Sequence, residues 1–242
     1  MRALALDTTT AAGSVAIVED DRVLVERIGE ATRSHAERLP GDLLQALDSG
    51  GLAIGDIDLF AIAAGPGTFT GLRIGIATIQ GLAFVCGKRV VPVSALTALA
   101  VAASGDLPAG QIVGAWMDAH RGDVFSAVFR TADRPPFDRE RLEALEDAAV
   151  GDPVAVLARW KKAGHLPAVL AGDGAIAFAT AVPPQVSTRG QLPLAGVIGQ
   201  MALAAARAGD TVDPAGIQPI YIRRPDAEIA RDKSSNPEIL KS

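Results

Sequence analysis

A glycine-rich stretch between two apolar runs is the part of this sequence best suited to chemistry. Residues 65–75 read GPGTFTGLRIG, between the apolar run 59–64 and a second apolar run that extends to residue 86. A buried strand, a glycine turn and a helix N-terminus in this order leave backbone N–H groups that point at an anion. The stretch is therefore a candidate contact for an anion or a nucleotide, although such a loop is as often a plain connection.

The candidate contact residues come from this loop and from the end of the first predicted strand. The first two glycines allow a tight turn and the close approach of a ligand, and the threonines add hydroxyl donors. No Lys-Ser/Thr pair follows and the spacing differs from G-x-G-x-x-G, so neither nucleotide motif is present. The predicted contact set is Asp7, Thr8, Gly65, Pro66, Gly67, Thr68, Thr70, Gly71 and Arg73.

Arg73 is the member of this set most strongly expected to meet a charged group. It lies at the start of the predicted helix 72–86, where the helix dipole disfavours a cation. A nearby anion or acidic side chain would offset this cost. We therefore expect Arg73 to contact a ligand or a carboxylate of a partner protein.

Composition and charge limit the classes of function. The chain of 242 residues is 49% hydrophobic and carries a net charge of −5, which argues against a large basic surface for nucleic acid. Any role linked to RNA would need a basic partner or a small local patch. The single Cys86 excludes an intrachain disulfide, and this indicates a cytoplasmic protein. Gln200 and Arg207 interrupt the apolar run 192–208, so no membrane span is predicted there.

The first half of the chain is predicted to alternate strands and helices. The predicted strands are 2–6, 14–19, 22–27, 58–64 and 90–93, and the predicted helices are 34–47, 72–86 and 94–103. Ser34 and Glu37 form a capping-box pattern at the start of the first helix. Pro40 lies past the first turn of that helix, so it predicts a kink or a later helix start.

The pattern restarts near residues 104–108, where we place a boundary between two lobes. Strands 111–117, 123–130 and 167–171 are predicted beyond it, with a loop over 131–138 and helices 153–163 and 193–208. The predicted domains are 1–104, a smaller second lobe 105–225 and a polar tail 226–242. Helix 193–208 is a candidate to pack back on the first lobe.

Two halves that each open with paired antiparallel strands resemble the actin-like, sugar-kinase-like superfamily. The predicted fold is α/β with two lobes, each a mixed sheet with helices. In kinases of this superfamily the acidic residue that ends the first strand organises a metal–nucleotide complex, which is one interpretation of Asp7. The preferred interpretation is that Asp7 accepts hydrogen bonds from the turns 8–10 and 68–70.

The predicted helix 72–86 is apolar on two opposite sides. One face consists of Leu72, Ile76, Ile79 and Ala83, and the other consists of Ile74, Ala77, Gly81, Phe84 and Val85. A helix that is apolar all round is expected to be buried on both sides. The first face should cover the sheet of its own lobe, and the second should pack on the helix 34–47 or on another subunit.

Several segments together resemble one family. Residues 65–75 resemble the signature loop of the TsaB (YeaZ) family, with Thr68 where the family usually has Ser. Residues 4–10, 37–40, 117–125 and 219–226 are also similar to family segments. The chain departs from the usual pattern at His120, at Phe125 and at the start of the first long helix.

The resemblance implies a protein without a catalytic centre of its own. Such a subunit pairs with a metal-bearing transferase paralogue, TsaD, and with an ATPase, TsaE, to make threonylcarbamoyladenosine next to the tRNA anticodon. It implies a homodimer when the protein is alone, tRNA contact only through the complex, and ATP or ADP at the shared interface. It also favours the second face of helix 72–86 as the subunit interface. His35, His120 and His165 lack metal-ligand spacing, so no metal site is predicted.

Two other functions are weighed against this one. An ATP-dependent small-molecule kinase of the same fold would need a second phosphate loop, and the only candidate is the Gly172-Asp173-Gly174 sequence, which we interpret as a plain turn. A peptidase would need a nucleophile constellation, and no Ser/His/Asp pattern in the sequence supports one.

Overall fold

A computed structural model of the chain describes residues 1–190 and 192–223. The strands in this part are β1 Arg2–Asp7, β2 Ser14–Glu19, β3 Arg22–Ile28, β4 Leu59–Gly65, β5 Arg89–Ser94, β6 Ile112–Asp118, β7 Val124–Thr131, β8 Leu142–Gly151, β9 Val169–Ala171 and β10 Ser187–Arg189. The helices are α1 His35–Ser49, α2 Phe69–Cys86, α3 Ala95–Ser104, α4 Pro153–Lys162, α5 Asp173–Ala177 and α6 Ala195–Arg207. The predicted polar tail 226–242 lies outside the described residues.

The strands form two sheets with the same internal pattern. The first sheet has the order β3-β2-β1-β4-β5 and the second has the order β10-β9-β6-β7-β8. In the first, β1, β2 and β3 are antiparallel and β4 and β5 continue parallel to β1. In the second, β6, β7 and β8 are antiparallel, and β9 and β10 are parallel to β6. The predicted two-lobed α/β fold is therefore confirmed.

Helices separate and cover the two sheets. Helices α3 and α6 lie between the sheets, where Leu99 and Ile198 share one core with Ala5 of β1 and Ala115 of β6. Helices α1 and α2 cover the other face of the first sheet, and α4 and α5 cover the other face of the second. Because α6 packs directly on the first sheet, the last long helix among the described residues helps to shape the cleft between the lobes.

Capping explains where the first two helices begin. Glu37 accepts a hydrogen bond from the Ser34 N–H at 3.0 Å, so α1 begins at His35 and contains Pro40. Of the two alternatives predicted from Pro40, the later helix start is therefore wrong, and the kink stays a prediction. Helix α2 begins at Phe69, three residues before the predicted start at 72, because the Thr68 hydroxyl caps it by accepting from the Gly71 N–H.

Strand β8 is an element that the sequence reading missed. Its sequence, LEALEDAAVG, is rich in Ala, Leu and Glu, which are helix formers and carry little strand preference. It nevertheless pairs antiparallel with β7 along one edge of the second sheet. Tertiary pairing with a buried neighbour therefore decides the conformation of this segment.

Candidate functional site

The glycine loop packs against the chain's own backbone. A Cβ atom at Gly67 would lie 2.6 Å from the Thr9 Cβ, and one at Gly71 would lie 2.2 Å from the Thr8 carbonyl oxygen. The Thr68 N–H donates to the Thr9 carbonyl oxygen at 3.1 Å. The absence of side chains at these glycines therefore lets the loop and the N-terminus of α2 approach the turn after β1.

Gly65 meets a different part of the chain. Its φ is +122°, and a Cβ atom there would lie 2.6 Å from the Ile220 carbonyl oxygen. The Ile220 N–H donates to the Ala64 carbonyl oxygen at 2.7 Å. Further along, Arg223 donates to the Ala119 carbonyl oxygen at 2.8 Å and pairs with Asp123. Residues 217–223, which we call the strap, therefore pack on the start of the predicted contact loop at Gly65 and join the two lobes.

Asp7 is buried at the end of β1 and is satisfied locally. Its carboxylate accepts hydrogen bonds from the Thr9 N–H at 2.8 Å and from the Thr9 hydroxyl at 2.6 Å. Of the two turns expected to donate, only the first does so, because Thr68 is engaged with Thr9 and with its own helix. Burial raises the pKa of Asp7 above its ordinary value, although the Thr9 hydrogen bonds oppose this. The neighbouring Thr8 hydroxyl is buried and has no hydrogen-bond partner in the described chain.

Two residues that the sequence reading did not include complete this site. His35 is buried, and its Nε2–H donates to the Thr10 carbonyl oxygen at 2.9 Å. Its Nδ1 accepts from Arg38 at 2.9 Å, and Arg38 also pairs with Asp42. Burial, with the Arg38 charge, lowers the pKa of His35. The sequence signal for His35 was its place at a capped helix start, but nothing local indicated its contact with the turn after β1.

The residues predicted as a plain turn in the second lobe face Asp7 across the cleft. Gly172 has a φ of +117° and forms the turn between β9 and the short helix α5, which begins at Asp173. That this turn is plain and not a phosphate loop stays a prediction. Asp173 accepts from the Asp118 N–H at 3.0 Å and from the Gly174 N–H at 2.9 Å. Its negative charge is among the causes that raise the pKa of Asp7.

The chain itself fills the space between these groups. The cavity beside Asp7 has a volume of about 130 Å³ and is closed on one side by Leu192 and Pro193. Pockets that hold small molecules are usually about 300–1,000 Å³. The cavity is therefore too small for a nucleotide in this conformation.

Protein groups also occupy the N-terminus of α6, which borders the cleft. The Ser14 hydroxyl accepts from the Leu194 and Ala195 N–H groups at 3.2 and 3.0 Å. The Glu26 carboxylate accepts from the Gly196 N–H at 2.7 Å. Burial raises the pKa of Glu26, with the Asp7 charge as a smaller cause. The helix end that could receive an anion therefore already holds two acceptors from the chain.

Arg73 is held by aromatic rings. Its guanidinium carbon lies 3.9 Å from the centroid of the Phe69 ring, and its Nε donates to the Tyr221 hydroxyl at 3.5 Å. The Phe69 and Tyr221 rings are 5.6 Å apart. The structure thus shows no intramolecular carboxylate partner for Arg73 among the described residues, and the predicted contact with a ligand or a partner remains a prediction.

The two predicted faces of α2 differ sharply in burial. Leu72, Ile76, Ile79 and Ala83 are buried against the first sheet, as predicted. On the other face Phe84 is 79% exposed and Val85 is 84% exposed, Ala77 and Gly81 are exposed, and Ile74 is half-buried. A groove of about 650 Å³ runs between α1 and α2, with Leu43, Leu44, Leu47, Leu82 and Cys86 among its lining residues. This apolar surface, the α1–α2 face, is open in the single chain.

Helix α2 also meets a simple criterion for a membrane-spanning helix. Helix α2 is long and apolar enough to cross a membrane by length and composition, a criterion that core helices also meet. A third of it is buried in this fold.

The described residues contain no group of three His, Cys, Asp or Glu side chains placed to hold a metal ion.

Comparison with known proteins gives consistent results. The family model described as TsaD, tRNA N6-adenosine threonylcarbamoyltransferase, matches residues 29–196. An uncharacterized protein of Mycobacterium leprae is 32% identical over 231 residues, which are 93% of this chain and 55% of that protein. The tRNA threonylcarbamoyladenosine biosynthesis protein TsaB of Haemophilus influenzae is 39% identical over 136 residues, 55% of this chain and 56% of that protein. The chain thus spans about half the length of these two relatives.

A solved structure matches over nearly its full length. YeaZ from Pseudomonas aeruginosa superposes with a TM-score of 0.74 at 30% sequence identity, over 91% of this chain and 99% of that protein. The range matched by the family model contains the glycine loop and the segments 37–40 and 117–125, which resembled family motifs. The chain therefore belongs to the TsaB (YeaZ) family of TsaD-related proteins.

Proposed function

We propose that this chain is a subunit of the machinery that makes threonylcarbamoyladenosine in tRNA. In this role it pairs with a TsaD-type transferase and does not transfer the threonylcarbamoyl group itself. Family membership supports the process, since the matched relative in Haemophilus influenzae is named as a tRNA threonylcarbamoyladenosine biosynthesis protein. The match to the TsaD family model supports a related protein as the partner.

The open α1–α2 face is the observation that carries the proposal. Large exposed apolar patches on a monomer mark interaction sites, because their burial against a partner is favourable. Leu44 is 68% exposed on α1, beside the exposed Phe84 and Val85 of α2. Ala77 and Gly81 have small side chains, so the helices of a partner can approach the α2 backbone closely. We infer that a TsaD-type partner packs its own helices on this face.

The filled cleft supports a non-catalytic role. The cavity beside Asp7 is about 130 Å³, and Ser14 and Glu26 occupy the helix end nearby. The strap also packs against Gly65 at the start of the glycine loop. We therefore expect any ATP or ADP in the complex to bind at the shared interface or in the partner.

The wider assembly follows from the same proposal. A TsaE-type ATPase joins the pair, and tRNA is contacted only through the complex, in keeping with the net charge of −5. A second copy of the chain occupies the α1–α2 face when the partner is absent, which gives a homodimer. We expect this assembly in the cytoplasm, as a partner that buries the apolar face of α2 removes the need for a membrane.

Reconstitution with omitted components tests the proposal. The chain is co-expressed with the TsaD and TsaE homologues of its own host, and threonylcarbamoyl transfer to tRNA is measured with each protein left out in turn. We expect full activity only with all of them present, and a stable complex between the chain and the TsaD homologue. Full activity without the chain, or recovery of the chain in the membrane fraction, would contradict the proposal.

A further inference from the structure

We propose that Phe69, Arg73 and Tyr221 form an anchor that binds a carboxylate side chain of the partner subunit. We call these residues the aromatic–arginine cluster. The inference rests on the proposed function and adds to it a specific contact and the chemistry of the partner group.

The cluster holds the Arg73 guanidinium in place before any partner arrives. The guanidinium stacks on the Phe69 ring at 3.9 Å, and the Tyr221 hydroxyl accepts from its Nε at 3.5 Å. Phe69 and Tyr221 are each 39% exposed, and Arg73 is also exposed. Side chains ordered in this way lose less conformational entropy on binding than free arginines do. Arginine and tyrosine are also enriched among the residues that dominate interface energies.

No carboxylate among the described residues pairs with Arg73, so its exposed guanidinium is available to an anion of the partner. Arg73 lies in the second turn of α2, near the positive end of the helix dipole, and the first turn of this helix contains no acidic residue. Other arginines in the described part, such as Arg38 and Arg223, pair with carboxylates, but Arg73 has only the ring and the hydroxyl. A planar carboxylate satisfies the remaining N–H donors of a guanidinium with two parallel hydrogen bonds.

The position of the aromatic–arginine cluster beside the α1–α2 face favours a carboxylate of a partner protein over a small free anion as its ligand. Phe69 and Arg73 lie on the same exposed side of α2 as Ala77 and Phe84, so the cluster continues the α1–α2 face toward the strap. A carboxylate there would lie at the edge of an apolar contact, where the partner excludes water from it. Charged pairs in such surroundings contribute more than solvent-exposed ones do.

Binding measurements with matched variants test the inference. The affinity of the full chain for the purified TsaD homologue is measured by titration calorimetry for the parent and for Arg73→Gln, Arg73→Lys and Tyr221→Phe. Truncating one partner of a desolvated charge pair typically costs about 30-fold or more in affinity. We expect that loss for Arg73→Gln, and a smaller loss for Arg73→Lys, which keeps the charge but lacks the planar fork. Arg22→Gln is the control, because Arg22 is exposed on the far edge strand β3 and should change affinity by less than about 2-fold.

The carboxylate itself is found from the partner's side. Each Asp or Glu on the partner surface is changed to Asn or Gln, and the effect of Arg73→Gln is measured again. We expect one such change to abolish the extra loss caused by Arg73→Gln, as a double-mutant cycle requires for a direct pair. If no acidic position couples to Arg73, the carboxylate contact is wrong.

The remaining outcomes separate this inference from the proposed function. If Arg73→Gln binds the TsaD homologue as tightly as the parent chain does, the carboxylate contact is wrong but the subunit role stands. If Arg73→Gln binds the homologue normally but the complex then binds tRNA more weakly, the cluster contacts RNA, and the carboxylate contact is again wrong. If the parent chain does not bind the TsaD homologue at all, both the subunit role and the cluster fail.

Discussion

At the scale of single residues, the close approach between Gly67 and Thr9 sets the strongest constraint. A Cβ at position 67 would lie 2.6 Å from the Thr9 Cβ and 2.8 Å from its carbonyl oxygen, so a valine must displace the turn after β1. We expect Gly67→Val to lower the free energy of unfolding by about 3 kcal/mol, the upper part of the range for overpacking. Urea unfolding followed by circular dichroism measures this change.

Thr68→Ser is the matched control in the same loop. It keeps the hydroxyl that accepts from the Gly71 N–H and removes only a methyl group. The expected loss is below about 1 kcal/mol, since the cap remains. If both variants unfold at the same urea concentration as the parent, the loop tolerates side chains and its packing has been misread.

The ionisation of Asp7 gives a prediction about pH. Because its pKa is raised in the folded state, its ionisation destabilises the protein as pH rises from the ordinary value of 3.8 through the raised pKa. His35, whose pKa is lowered, acts in the opposite direction, since the stability it contributes is present above 6.5 and is lost as pH falls. The difference in stability between the parent and an Asp7 variant, followed across pH, is therefore more informative than the pH dependence of the parent alone.

Asp7→Asn isolates the contribution of the carboxylate. The amide oxygen can still accept the Thr9 hydrogen bonds, and it carries no charge. We expect the variant to be more stable than the parent at pH 8, with the advantage shrinking as pH falls and vanishing below about 3.8. Thermal unfolding from pH 3 to pH 8 measures the difference, and an advantage that grows toward acid pH would contradict the account.

Residue patterns in the sequence predicted the loop but not its contacts. The glycines at 65, 67 and 71 indicate that another part of the chain approaches the loop closely. The structure shows that this part consists of Thr8, Thr9 and Ile220. Ile220 is more than 150 residues away in the chain, so no local pattern identifies it as the group that covers Gly65. His35 and Thr10 are 25 residues apart in the sequence, so no local pattern predicts their contact either.

At the scale of secondary structure, α2 offers a test of which face is free. Apart from its chain neighbours and the backbone of its own helix, no atom lies within 4 Å of a Cβ placed at Gly81, so both Ala and Arg fit there. We expect Gly81→Ala to raise the free energy of unfolding by about 0.5–1 kcal/mol, because glycine is a poor helix former. Gly81→Arg should remain folded in the same urea series.

Ala83 provides the contrasting position on the same helix. It is fully buried against the first sheet, so Ala83→Arg places an unpaired charge in the core. That variant should unfold or lose several kcal/mol. Equal effects of arginine at 81 and 83 would show that the two faces of α2 are not distinguished as described.

Periodicity and capping account for most of the elements that could be predicted. The hairpin β2–β3, the end of α2 at Gly87 and the cap of α4 at Asp152 each have a local sequence cause. Strand β8 has none, because its Ala- and Glu-rich sequence takes its conformation from pairing with β7. The open face of α2 was visible as a second apolar side, but its exposure depends on how α1 packs.

At the scale of the whole molecule, the two lobes share one continuous core. Helices α3 and α6 share one core between the sheets, and the strap bridges the lobes through Arg223. We expect the isolated chain to show no threonylcarbamoyl transfer and no substantial ATPase activity. Steady-state assays on rigorously purified protein check this, and turnover that disappears in Asp7→Asn would overturn the non-catalytic role.

The most direct test of the central claim is the affinity of the TsaD homologue for the parent chain and for Gly81→Arg. Titration calorimetry on the two folded proteins gives the comparison, with Gly81→Ala as the control for the loss of glycine. We expect tight binding by the parent and by Gly81→Ala, and no measurable binding by Gly81→Arg, because a charged side chain would lie in the apolar contact. Unchanged binding by a folded Gly81→Arg would contradict the assignment of the α1–α2 face as the partner surface.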